Sequence, residues 1–131
     1  MTEARFQGGT LPSGESLRAA IDAVDADAAG GGRVAPAYYM INCAHPSHFE
    51  RVLGTLGERR ARLRGVRANA SRRSHAELDS ATELDAGDPQ ELGRDYLRLK
   101  SALPNLCVVG GCCGTDHRHV AAMSSALAAA R

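Results

Sequence analysis

One feature constrains this chain more than any other. Short apolar runs, too brief for helices, alternate with stretches whose apolar residues recur at helical spacing. Ala37-Tyr38-Tyr39-Met40-Ile41 follows Pro36 and is bounded by turn residues, which predicts a buried strand. After His45-Pro46-Ser47, the residues Phe49, Val52, Leu53 and Leu56 share a helical face, and Pro46 suits a first turn, where its missing N–H costs nothing. Leu63 to Ala70 is a weaker strand pattern leading into Ser74-His75-Ala76-Glu77, a capping-box signature. Asp88-Pro89-Gln90-Glu91 offers an N-cap, a proline at N1 and an acid at N3; Leu92, Tyr96, Leu99 and Leu103 then mark one helical face, closed by Pro104. Leu106-Cys107-Val108-Val109 is the last apolar run, and Gly110-Gly111-Cys112-Cys113-Gly114 turns it into a closing helix with Val120, Met123 and Leu127 inward. An opening helix carries Leu17, Ala20, Ile21 and Val24 on one face and ends at Gly30-Gly31-Gly32. A strand before it would have to lie in Ala4 to Gln7.

Strands alternating with helices predict an α/β fold of parallel βα repeats with right-handed crossovers. The 131 residues fit one domain. A formal net charge of +1 argues against a dedicated nucleic-acid binder, and no apolar run approaches the ~20 residues of a membrane span. Met1 to Gly9 contains Glu3 and Arg5 and lacks the apolar core of a signal peptide, so the expected location is cytoplasmic. In that reducing compartment the four cysteines, Cys43, Cys107, Cys112 and Cys113, suit metal binding or catalysis better than disulfides.

Ligands of parallel α/β folds collect at the carboxyl ends of strands. Asn42-Cys43 ends one apolar run and Cys112-Cys113 ends another, so both sets of thiols belong to one face of a common sheet. Three thiolates with an open fourth position satisfy zinc. The closing helix begins just after Cys112 and Cys113, and its dipole is expected to lower their thiol pKa. Gly110, Gly111 and Gly114 allow a sharp turn and close approach of a ligand. The plainer reading of any single cysteine is a small buried residue, and Cys107, in mid-strand, is assigned to it.

The segments Tyr38-Tyr39-Met40-Ile41-Asn42-Cys43-Ala44-His45-Pro46 and Val109-Gly110-Gly111-Cys112-Cys113-Gly114-Thr115-Asp116-His117-Arg118-His119 resemble the two C-terminal zinc motifs of the homocysteine S-methyltransferase family. The resemblance implies Zn2+ held by Cys43, Cys112 and Cys113, with homocysteine and a methyl donor as substrates and methionine as product. It implies backbone contacts to substrate from Gly110 and Gly111; Asn42 and Asn69 orient substrate or neighbouring groups, or serve as ordinary strand-end residues. It runs from about Leu11 to the C-terminus and covers the C-terminal half of the family's (β/α)8 TIM barrel, with residues 1–10 departing from the family pattern. Such a barrel needs ~250 residues. The expected chain is therefore a partial domain completed by a homodimer partner or a complementary half-barrel chain. A zinc- or thiol-binding or redox module without turnover, or a truncated remnant, is the alternative.

Other residues carry weaker signals. His45, His117 and His119 lie near the thiols but fall in helix starts, and are read as solvent-facing or supporting groups rather than ligands. His48 and His75 read as helix-surface residues. Asp22, Asp25 and Asp27 lack the spacing and central glycine of a calcium loop, and the basic run Arg59 to Arg64 reads as a solvated face.

Overall fold

The computed structural model describes residues 10–130, apart from the side chains of His75 and Ala76. The strand expected in Ala4 to Gln7 lies outside them. Helix α1 (Leu17–Gly30) leads to strand β1 (Tyr39–Ala44); α2 (Pro46–Leu53) and a 3-10 turn, Gly57–Arg62, lead to β2 (Leu63–Ala68). The short α3 (His75–Asp79) and the long α4 (Pro89–Ala102) precede β3 (Val108–Gly111), and α5 (His117–Ala129) follows it. The three strands form one parallel sheet in the order β1-β2-β3, as consecutive βα units require.

Local chemistry sets the helix ends. The Ser16 hydroxyl accepts from Ala19 N, Asp88 accepts from Gln90 N with Pro89 in the first turn, and Ser74 and Glu77 exchange the two bonds of a capping box. Leu92, Tyr96, Leu99 and Leu103 are all buried, as their spacing predicts.

Register divides the sheet into two faces. Ile41 pairs with Val66 and Val66 with Val109; Ile41 and Val66 are fully buried and join Leu92, Tyr96 and Leu99 in the core. The opposite face carries two rows. Met40, Gly65 and Val108 form the lower row, with the Met40 side chain filling the space where a Gly65 Cβ would lie. Asn42, Arg67 and Gly110 form the upper row, toward the carboxyl ends of the strands. On this second face Arg67 and Val108 are exposed, and among the described residues no strand pairs with the outer edge of β1 or of β3.

The open edge of β3 explains two departures from the expected core. Val120 is 53 % exposed because the groove between β3 and α5, about 580 Å³ and lined by Val109, Met123 and Leu127, has no described strand beside it. Cys107 lines the same groove and is exposed rather than buried; it precedes β3 and contributes its N–H to Arg64 O. Val24, expected on the inner face of α1, is 44 % exposed.

Candidate metal centre

Side chains alternate along a strand, so a regular β1 would turn Asn42 to the open face and Cys43 toward the helices. The register breaks that rule. Asn42 pairs with Arg67 and Ala44 with Ala68, which leaves Cys43 as an extra residue in the register. Its φ of 58° makes it the one left-handed non-glycine residue described. A bulge re-aims a side chain, and here it brings Cys43 Sγ to 3.9 Å from Cys113 Sγ. Holding a cysteine in this sparsely populated conformation costs about 1–3 kcal/mol.

The other two thiols are placed by hydrogen bonds that continue the sheet beyond its last paired residues. Cys112 N donates to Ala68 O at 2.8 Å, Ala70 N to Cys113 O at 3.0 Å, and Asn69 N to Ala44 O at 3.0 Å. Buried Asn69 adds a side-chain bond, its Oδ1 accepting from Cys113 N at 3.1 Å. Thr115 closes the turn, both its N–H and its hydroxyl donating to Cys112 O. Gly114 is needed there: at φ 78° its missing Cβ would lie 2.4 Å from Asp85 O.

Cys43, Cys112 and Cys113 thus offer three sulfurs within 4.8 Å of one another. Sulfurs bound at about 2.3 Å around a tetrahedral ion lie about 3.8 Å apart, close to the 3.9 Å separation of the first pair. The donor set fits a soft, zinc-type ion. Burial and the adjoining Cys112 and Cys113 push the Cys43 thiol up to about 12, so that metal entry must displace a proton. The N-terminus of α5 is capped by Asp116, which accepts from Arg118 N at 2.9 Å.

The remaining candidates separate by what they touch. Asn42 Oδ1 is buried beside Cys43 with no hydrogen-bond partner. Gly110 belongs to the open face, its absent side chain leaving room beside the Arg67 stem. Gly111 turns to Thr115 instead, whose hydroxyl would sit 2.1 Å from a Gly111 Cβ. His45 is buried and driven down to about 4 chiefly by that burial. Its Nδ1 accepts from Ser47 N at 3.2 Å, capping α2, and Nε2 faces Asp95 Oδ2 at 3.7 Å. That separation, with the imidazole neutral, makes a contact rather than an ion pair. His119 is fully buried, which excludes the solvent-facing alternative and leaves the supporting one: Asp116 N donates to its Nδ1, and its Nε2 contacts Ala86 O at 2.6 Å. His48 Nε2 lies 2.8 Å from Arg72 O.

Tyr96 is a residue that sequence reasoning placed only in the core. Its hydroxyl accepts from Ala68 N at 3.1 Å and lies 2.6 Å from Gly110 O and 3.1 Å from Val66 O. One side chain therefore ties β2 to β3 immediately beneath the thiols. The helical spacing announced its burial but gave no sign of what the hydroxyl binds.

A thiol cluster at the carboxyl ends of parallel strands is now joined by a match at the level of the whole chain. The homocysteine S-methyltransferase family model matches residues 1–127. No curated protein and no solved structure matches. With the match spanning nearly its full length, the chain belongs to the homocysteine S-methyltransferase family.

Proposed function

We propose that this chain carries the zinc centre of a homocysteine S-methyltransferase, which moves a methyl group onto the thiol of homocysteine to form methionine. The observation that carries this reading is the convergence of Cys43, Cys112 and Cys113, three sulfurs within 4.8 Å, in a chain of that family. Zinc bound there supplies the charge that removes the substrate's thiol proton at neutral pH. The reaction implied is attack of the homocysteine sulfur on an activated methyl group of a sulfonium, ammonium or folate donor.

The chain's own residues set the stage for that attack. The Cys43 bulge and the Asn69 bond to Cys113 N hold the thiols together, while Gly110 leaves the adjoining face clear. Asn42, with its buried unpartnered Oδ1, is suited to a substrate donor. Gly110 and Gly111 offer backbone groups on the rim.

The bare sheet face and two free edges support the reading of residues 1–131 as a partial domain, the C-terminal half of a (β/α)8 barrel. The strands that close it come from a second copy or from a complementary half-barrel chain. The second reading, a zinc- or thiol-binding half barrel without turnover, is favoured by the exposure of Cys113 on this open face.

Native mass spectrometry decides the metal question. The expected result is about one zinc per chain, lost in Cys113→Ser, and a folded but metal-free protein overturns the proposal. Methionine formation is then assayed with sulfonium, ammonium and folate donors, with and without the complementary half. Zinc without methionine in every mixture selects the second reading.

A further inference from the structure

We propose that Arg67 anchors the carboxylate of the thiol substrate, with Asn42 Oδ1 facing its ammonium group. The inference deepens the homocysteine reading and rests on it. Arg67 is the middle member of the upper row on the open face, in register with Asn42 on β1 and Gly110 on β3. Two residues further on, just past the end of β2 where Asn69 N still bonds Ala44 O, lies Asn69, whose side chain holds Cys113 N. A step of two residues along a strand is about 6.6 Å, within reach of an extended arginine side chain.

The Arg67 side chain is exposed and makes no hydrogen bond or ion pair with any described residue. Arg33, Arg59, Arg62, Arg72, Arg98 and Arg118 are each paired with a carboxylate, whereas Arg67, like Arg51, Arg60, Arg64 and Arg94, is not; of these unpaired arginines it is Arg67 that stands on the upper row beside Asn42 and Gly110. Nothing on its left or right blocks it: Gly110 contributes no side chain, and the nearest approach of a Cβ there to the Arg67 stem would be an ordinary 3.7 Å. On its other side, Asn42 Oδ1 is a buried acceptor without a donor. A planar cation and an orphan acceptor on adjacent strands match the two charges of an amino-acid zwitterion. Its sulfur would then lie toward the thiols above the row. A thiol lacking the carboxylate satisfies only half of this arrangement.

The test uses the zinc-loaded full chain and two probes, homocysteine and 3-aminopropanethiol, the second having the same thiol and amine but no carboxylate. Calorimetric titration is run on the natural chain, Arg67→Gln and Arg67→Lys, with zinc content measured for each. Arg67→Gln is expected to keep its zinc, to weaken homocysteine binding by about tenfold or more, and to leave 3-aminopropanethiol unchanged; Arg67→Lys recovers part of the loss. Equal weakening of both probes, no weakening of either, or loss of zinc from Arg67→Gln overturns the assignment while the homocysteine reading stands. So does a variant that binds homocysteine normally but loses affinity for a trimethylammonium carboxylate donor. A natural chain that holds zinc and binds neither thiol overturns the homocysteine reading, and Arg67 with it.

Discussion

Helices α1 and α4 are each 14 residues long and both contribute to the same core, yet they are attached by different physics. Helix α1 buries Leu17, Ile21 and Ala28 and is otherwise clipped on by charge. Asp22 accepts from Arg59 Nη2 at 2.8 Å, and Asp25 accepts from Arg62 Nη1 and from the Tyr39 hydroxyl, both at 2.7 Å. The basic run after α2 is therefore a set of clasps for α1 more than a solvated face, and the acidic triplet that superficially suggests a calcium loop is occupied by arginines. Helix α4 buries Leu92, Gly93, Asp95, Tyr96 and Leu99, and through Tyr96 it hydrogen-bonds the backbone of two strands. The lesson is one of depth. Exposed ion pairs locate a helix at low energetic weight, whereas a buried hydroxyl that completes backbone bonding fixes the platform of the metal centre.

The largest effect is expected at Tyr96. Tyr96→Ala removes a fully buried ring and destabilises by about 4 kcal/mol, measured by denaturant unfolding, with loss of zinc retention. Tyr96→Phe keeps the ring but strips the Ala68 N–H and Gly110 carbonyl of a partner, for a loss of about 1–3 kcal/mol. Zinc affinity should fall with it, because Cys112 follows Gly110 by two residues. Gly93→Val tests the packing of α4 on α5: a Cβ there would lie 2.9 Å from Ala122 O, and overpacking of this kind costs about 1–3 kcal/mol. Its zinc content should be less affected than that of Tyr96→Phe.

The smallest effect belongs to α1. Arg59 and Arg62 hold Asp22 and Asp25 below the ordinary carboxylate range, mainly by hydrogen bonding. Carboxylates depressed in the folded state contribute stability above the unfolded value and lose it as pH falls through the folded one. The α1 attachment should therefore weaken below about pH 4, and hydrogen exchange should show α1 opening before α4. Arg62→Ala should mimic that change at neutral pH, with an effect on the unfolding midpoint that shrinks in 1 M salt, where the Debye length is about 3 Å. An Arg62→Ala loss as large as that of Tyr96→Phe, or one insensitive to salt, would erase the contrast between the two helices.

Legibility in the sequence followed the range of the interaction. Apolar spacing located the three strands, and the caps at Asp88 and Ser74 form as their residue types dictate, because these signals act within a few residues. The cysteines were visible as the quoted motifs. Their convergence depends on a bulge that nothing in Ile41-Asn42-Cys43-Ala44 advertises: no glycine marks the left-handed residue, and the register is set by pairing with β2. For His119 a solvent-facing and a supporting role both stayed open, because its partner, Ala86, is 33 residues away. Val120 looked buried because helical periodicity reports which face is apolar, not whether anything lies against it.

The bulge also changes which mutations matter. Asn42 to Ala44 spans three residues where the facing stretch, Arg67 to Ala68, spans two. Deleting Ala44 would restore even pairing, put Cys43 in register with Ala68 and turn its side chain toward the helices, with all three cysteines kept. Length changes are ordinarily absorbed in loops; here one falls inside a strand and acts as a change of parity. Lineages that keep all three cysteines can therefore still lose the centre through spacing alone, and a search for working relatives must count residues between Asn42 and Ala44 as strictly as it matches their identities.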